Sequence, residues 1–150
     1  MDAFVAIFDP SIKNSRSGQL VYSTYFGGTG PDTPFDLKLD AKGILYLVGY
    51  TLSPGLPTSA NALQTGYDGS LDAFALTIDP SQPGPAGLGY LTYLGSDGFQ
   101  IAYGIDYDTS GHVYLTGFTS GSLFTPFRGA TKTTGAGNTD AFVVGFSIAP

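Results

Sequence analysis

The sequence predicts an all-β fold of small antiparallel sheets, and three observations carry that expectation. The first is composition: 150 residues hold 22 Gly and 10 Pro, 14% are aromatic, and all twelve acids are Asp. Asp, Gly and Pro favour turns, whereas Glu, the acid suited to helix interiors, is absent. No window shows a helical apolar period with caps at both ends. The second is a repeat. "DAFVAIFDPS" from Asp2 returns as "DAFALTIDPS" from Asp72 and begins again as "DAFVVGFSIAP" from Asp140. The third is "ILYLVGY" (44–50), a strand-like run that is apolar on both faces.

The elements follow in chain order. "DAF…" opens each unit as a strand, labelled C for its inferred place in a four-strand sheet. The loop after it reads "PSIKNSRSGQ" in one unit and "PSQPGPAG" in the next, so the "DAF" phrases lie 70 and then 68 residues apart. Surface loops tolerate such length changes. Strand D is "LVYSTYF" or "GYLTYL", and strand A is "FDLKLD" or "YGIDY". The A–B turn, "DAKG" or "DTSG", has Asp early and Gly last, a hairpin signal. A Ca²⁺ reading of these turns lacks the further spaced oxygens and the terminal Glu of an EF-hand loop. Strand B is "ILYLVGY" or "HVYLTGF", interrupted at Gly49 and Gly117, where backbone or a bulky neighbour is expected to approach. A stretch of 20 residues, 52–71 and again 120–139, separates B from C. Its recurrence at one length marks it as architecture. Leu56 and Leu63, answered by Phe124 and Phe127, are expected to clip it onto the sheet. The offset from Tyr22 to Tyr90 and from Gly49 to Gly117 is 68. The chain is thus one repeat region with units 2–71, 72–139 and a partial third, 140–150.

Strand B places Ile44, Tyr46, Val48 and Tyr50 on one face and Leu45 and Leu47 on the other. A sheet with one wet face would alternate, so this one needs a neighbour on each side. Small four-stranded sheets flanked by copies of themselves are β-propeller blades. The order C D, A B C D, A B C makes about two blades plus one extra strand, and either C strand (2–9 or 140–148) can be the supernumerary one. Rings of this kind close with about 4–8 blades, so one chain cannot close one. Three arrangements stay open: part of a longer propeller, a ring of several chains such as three chains of two blades, or an open head-to-tail filament. The edge strands at the two ends carry few charges: Phe4, Val5, Leu20, Tyr22 and Tyr25 at one, Phe142, Val144 and Phe146 at the other. Such edges recruit further strands. Leu20–Phe26 of one copy is expected to complete the last blade, Tyr103–Ile148, of another.

These phrases resemble a known family. "DAFV…DPS…LVYSTYFGG", "G.LYLVGYT" and "LPT…NALQT…DAF" are similar to the SBBP repeat, a bacterial β-propeller repeat, over Asp2 to about Ile148. The second unit departs from it, with "GSDG" for "GGTG" and "GATKTTGAGNT" for "NALQTGYDGSL". The resemblance implies a blade-forming module in a secreted or cell-surface protein. It implies no catalytic activity, since the family carries no agreed active-site motif.

Chemistry-bearing residues are sparse. Formal net charge is −6 with six scattered Lys and Arg, which argues against nucleic acid or anionic membrane as partner. No apolar run reaches the ~18 residues of a membrane span, and no signal peptide is visible, so an export signal would lie outside this chain. Met1 directly precedes the repeat; whether it and Pro150 are natural ends stays open. Without cysteine there is no disulfide framework or thiolate metal site, and no ligand cluster suggests a metal or other cofactor. The single histidine, His112, replaces Ile44 of the first unit at the start of strand B. No serine sits in a G-x-S-x-G elbow. Asp9, Asp40, Asp79 and Asp108 recur at matching turns, as structural residues do. Asp36 and Asp106 correspond to Gly104 and Lys38 and are the acids to inspect in a central channel. Tyr67, Phe99, Phe124 and Phe127 lie in loops, where aromatic rings can stack on sugars or pin the loops down. The sequence therefore points to a non-enzymatic structural module that associates with itself or with further repeats of its parent protein. A carbohydrate-binding propeller, a lectin or adhesin, is the alternative.

Overall fold

The computed structural model describes residues 1–15, 17–121, 130–131, 135 and 137–148. Among them are nine strands: β1 (Ala3–Phe8), β2 (Leu20–Phe26), β3 (Asp32–Leu39), β4 (Leu45–Thr51), β5 (Asp72–Ile78), β6 (Leu88–Leu94), β7 (Gln100–Tyr107), β8 (His112–Thr119) and β9 (Asp140–Ser147). They form three antiparallel sheets, β1-β2, β3-β4-β5-β6 and β7-β8-β9. The strand order matches C D, A B C D, A B C.

Local chemistry sets the hairpins. Asp40 Oδ1 accepts from the N–H groups of Lys42 and Ile44, both at 2.8 Å. Asp108 Oδ1 repeats this with Ser110 and His112, at 2.8 and 3.0 Å. Gly43 and Gly111 close the two turns with φ of 86° and 84°, the left-handed region that glycine enters without steric cost.

β3 and β7 start three residues earlier than the sequence suggests, because each carries a bulge at Phe35 or Tyr103. The bulge lets Asp32 pair with Thr51 and Gln100 with Thr119 beyond it. Opposite the bulges sit Gly49 and Gly117. A Cβ on Gly49 would strike the Thr33 carbonyl and Pro34 Cα, and one on Gly117 the Ile101 carbonyl. The expected close approach is therefore the bulged backbone of the neighbouring strand.

The central sheet is packed on both faces. Leu45, Leu47, Phe74, Leu76, Ile78, Leu91 and Tyr93 meet Ala3, Val5 and Phe26 of the first sheet. On the other side, Val48, Ala73, Ala75, Tyr90 and Leu94 meet Ile105, Val113, Leu115, Phe142, Val144 and Phe146 of the third. Every residue of β5 is buried as a result. The outer sheets lie on opposite faces of the central one, and no ring is closed among the described residues.

The long B–C stretch runs beside the outer edge of β6. Ser59 N–H donates to the Leu91 carbonyl (3.0 Å), and Tyr93 N–H to the Gln64 carbonyl (3.1 Å). Tyr93 Oη donates to the Ser53 carbonyl and accepts from Leu56 N–H, at 2.7 and 2.8 Å. Leu56 is buried as expected, but Leu63 points to solvent. Polar bonds do the holding there instead: the Leu63 and Gln64 N–H groups donate to Tyr90 Oη and Thr92 Oγ1, and Gln64 Oε1 accepts from the Gly95 N–H. Phe124 and Phe127 lie outside the described residues.

Candidate functional site

The two ends of the stack form the candidate site, and the repeat explains their chemistry. Packing inside the chain follows one rule. The front face of each sheet lies on the back face of the sheet before it. Phe74, Leu76 and Ile78 form the front of the central sheet, and Phe142, Val144 and Phe146, 68 residues on, form the front of the third. Ala3, Val5, Tyr22 and Phe26 form the back of the first sheet, matching Ala73, Ala75, Tyr90 and Leu94 of the central one.

Among the described residues, two faces are left without a partner. The front of the first sheet carries Phe4, Ala6, Phe8, Ser23 and Tyr25, with Phe4 directly opposite Tyr25. The back of the third carries Gly104, Asp106, Tyr114, Thr116, Val143 and Gly145, with Asp106 opposite Tyr114 and Thr116 opposite Val143. Phe4 is 71% exposed and Tyr25 82%, whereas their counterparts Phe74 and Tyr93 are 0% and 1%. Val143 is 78% exposed and its counterpart Ala75 1%. Of the edge-strand residues singled out in the sequence, Phe4, Leu20 and Tyr25 thus face solvent. Val5, Phe142, Val144 and Phe146 point into the cores, and Tyr22 packs against the first. β2 is paired with β1 along its length.

The polar residues hold strand ends and seams. Asp32 accepts from Thr51 Oγ1 (2.5 Å), Ser53 Oγ (2.8 Å) and Gly28 N–H (2.9 Å). Gln100 takes its place one unit on, accepting from Ser96 N–H and donating to Ser96 Oγ and Thr119 Oγ1. The change from carboxylate to amide adds donors, and Ser96 in place of Gly28 supplies an acceptor for one of them. Asp36 Oδ2 accepts from Ile105 N–H at 3.0 Å, tying the central sheet to the third, while Lys38 Nζ lies 3.8 Å away. Asp106 is exposed and bonds the N–H of Tyr107.

His112 Nδ1 lies 2.9 Å from Asp108 Oδ2, which also accepts from Tyr114 Oη. The His112 backbone N–H, with the His112 ring, Ser110 and Tyr114, lowers the Asp108 carboxyl to about 2. Asp72 is the opposite case. Its Oδ2 accepts from Asp68 N–H, but its buried Oδ1 has no hydrogen-bond partner. Burial pushes this carboxyl up to about 6.

Tyr67 packs edge-on against Tyr93 with centroids 6.0 Å apart, and burial raises its hydroxyl pKa. Phe99 is half exposed and its backbone forms an isolated parallel bridge with Leu71. An aromatic seam was missed in the sequence. The bulged rings of Phe35 and Tyr103 meet at 4.9 Å, with Tyr50 and Phe118 outside them. Both pairs stand 68 residues apart, so the repeat offset held the signal, but the bulge that brings them together was not legible. Among the described residues no group of three acidic, histidine or cysteine side chains could hold a metal ion. Among the described residues no helix is long and apolar enough to cross a membrane. No protein-family model and no curated protein matches the chain.

Proposed function

We propose that this chain is a non-enzymatic β-propeller-type repeat module, secreted or at the cell surface, whose work is association with copies of itself or with further repeats of the same protein. One observation carries the reading. The two outward end faces occupy the repeat positions that the chain buries at its internal seams, and Phe4, Tyr25 and Tyr114 keep the aromatic residues of Phe74, Tyr93 and Tyr46 there, while Ala6, Ser23 and Thr116 replace Leu76, Leu91 and Val48. A fully buried Phe-sized side chain is stabilising by ~1.5–3 kcal/mol, and at the ends that contribution is unrealised until something covers Phe4, Phe8 and Tyr25. The propeller type and the exported location rest on the SBBP resemblance and on the stacking of like sheets.

Light scattering at micromolar concentration beside a glycan array tests this. The scaffold reading predicts a species larger than one chain and no retained glycan. A single-chain species that binds a glycan, and loses it in Tyr67→Ala or Phe127→Ala, would establish the lectin reading instead.

A further inference from the structure

We propose that a divalent cation, calcium by its size, binds at the seam between the central and third sheets, held by the Asp72 carboxylate and the backbone carbonyls of Ser96 and Gly98. The site is internal to the repeat and does not depend on whether the end faces associate.

Three oxygen atoms converge there. Asp72 opens β5 and is fully buried, and its Oδ1 has no hydrogen-bond partner. A Cβ on Gly69 would lie 2.8 Å from that oxygen, 2.7 Å from the Ser96 carbonyl oxygen and 3.0 Å from the Gly98 carbonyl oxygen. A side chain at Gly95 would strike the same carboxylate. Two glycines thus leave the space in which these oxygens face one another. The other carboxylate oxygen, Oδ2, is satisfied by the Asp68 N–H at 2.9 Å.

The charge around Asp72 calls for a cation. Burial disfavours its ionised form, and the charged neighbour that acts on it, Asp68, has the same sign. Among the described residues no Lys, Arg or His makes an ion pair with Asp72. A buried carboxylate costs free energy unless something positive stands against it, and the two carbonyl oxygens add negative partial charge at the same place.

The ligands are held in position by the rest of the seam. Gln100 Oε1 accepts from Ser96 N–H (3.0 Å), and its Nε2 donates to Ser96 Oγ (2.7 Å). The Gln100 N–H donates to the Leu71 carbonyl at 2.9 Å, beside the Leu71–Phe99 bridge. Asp72 itself is paired with Thr51. Such a fixed set lowers the ordering cost of binding.

Size selects the ion. Calcium takes 6–8 oxygens at ~2.3–2.6 Å in adaptable geometry, whereas magnesium demands an octahedron at ~2.0–2.1 Å. Oxygens spread over 2.7–3.0 Å about one point suit the larger ion. Asp68 and Asp97 are exposed, so the site borders solvent and water can complete the shell. Two of the three ligands are backbone oxygens, which is why no cluster of acidic side chains marks the site. A single buried carboxylate places it in the weak class of calcium sites, about 10⁻⁴–10⁻³ M. The competing account is a proton, with a neutral Asp72 donating from Oδ1 to one of the carbonyls.

Urea unfolding at neutral pH, in chelator, in calcium and in magnesium, tests the proposal. At about 10 mM, calcium is expected to raise the folded-to-unfolded ratio about ten- to a hundredfold over chelator, and magnesium much less. Asp72→Asn sets an amide donor against the two carbonyls, so it should fold without the ion and lose the calcium response. Asp2→Asn, at the same place in the first "DAF" phrase, should keep it. In the unmodified chain the carboxyl carbon resonance of Asp72 should move as calcium is added, together with the amides of 95–99. That spectrum decides the matter even where Asp72→Asn fails to fold. No calcium response in the unmodified chain, or an equal response in Asp72→Asn, would overturn the site. So would an Asp72 resonance that follows pH and ignores calcium, which is the outcome the proton account predicts. None of these readouts is the mass of the species, so this proposal and the association reading fail separately.

Discussion

Asp72 stands first in a "DAF" phrase like Asp2 and Asp140, yet it alone lies in a sheet covered on both sides. Its carboxyl is buried with one oxygen unpartnered and is raised from 3.8 to about 6. An acid raised in the folded state favours the fold while protonated, so its contribution is complete below the unfolded value and is lost as pH rises through about 6. At ~1.4 kcal/mol per unit, the loss amounts to about 2–3 kcal/mol between pH 4 and 6. Asp72→Asn should flatten that part of the stability profile in urea titrations at several pH values; an unchanged slope would show that Asp72 is not its source. Asp108 works the other way. Held at about 2 by the His112 turn, it supports the fold above the ordinary carboxylate range and loses that support as pH falls toward 2. Gly49 and Gly117 were legible from their matching places in strand B. Ala at either should cost about 1–3 kcal/mol in thermal unfolding, because the Cβ meets bulged backbone that cannot turn aside. The Asp72 difference was not legible, since nothing within the phrase "DAF" says which copy has sheets on both sides.

Among the elements, the strands were the most readable part. Their alternation, the Asp-to-Gly turns and the 68-residue offset placed all nine within about three residues. The bulges at Phe35 and Tyr103 were missed because a bulge leaves no compositional mark beyond the glycine facing it. The long B–C stretch was half legible. Leu56 packs, but Leu63 does not, and the work falls to hydroxyl and backbone groups of β6 whose role depends on tertiary contact. Tyr93 is the main latch, with both Oη bonds going to the stretch. Tyr93→Phe should strand the Leu56 N–H and the Ser53 carbonyl at a cost of about 1–3 kcal/mol. Hydrogen exchange should then quicken at Leu56, Ser59 and Gln64 while β5 stays protected. Unchanged exchange in that stretch would place the latch elsewhere.

At the scale of the whole molecule, a single packing step repeats. The central sheet offers Phe74, Leu76 and Ile78 to Ala3, Val5 and Phe26 of the first, and the third offers Phe142, Val144 and Phe146 to Ala73, Ala75 and Tyr90 of the central one. The repeat made this symmetry visible in the sequence, together with the mismatch of nine strands to blades of four. The direction of the side chains at the ends was not visible, because β1 has the same pattern as β5 and only the absence of a sheet in front of it turns Phe4 outward. The central claim is that the exposed end faces are association surfaces, for copies of this chain or for further repeats of the same protein. Sedimentation equilibrium of the unmodified chain tests it most directly. A species larger than one chain is the predicted result. A species with the mass of one chain at every concentration, its Phe4 and Val143 faces still open to solvent, would contradict it.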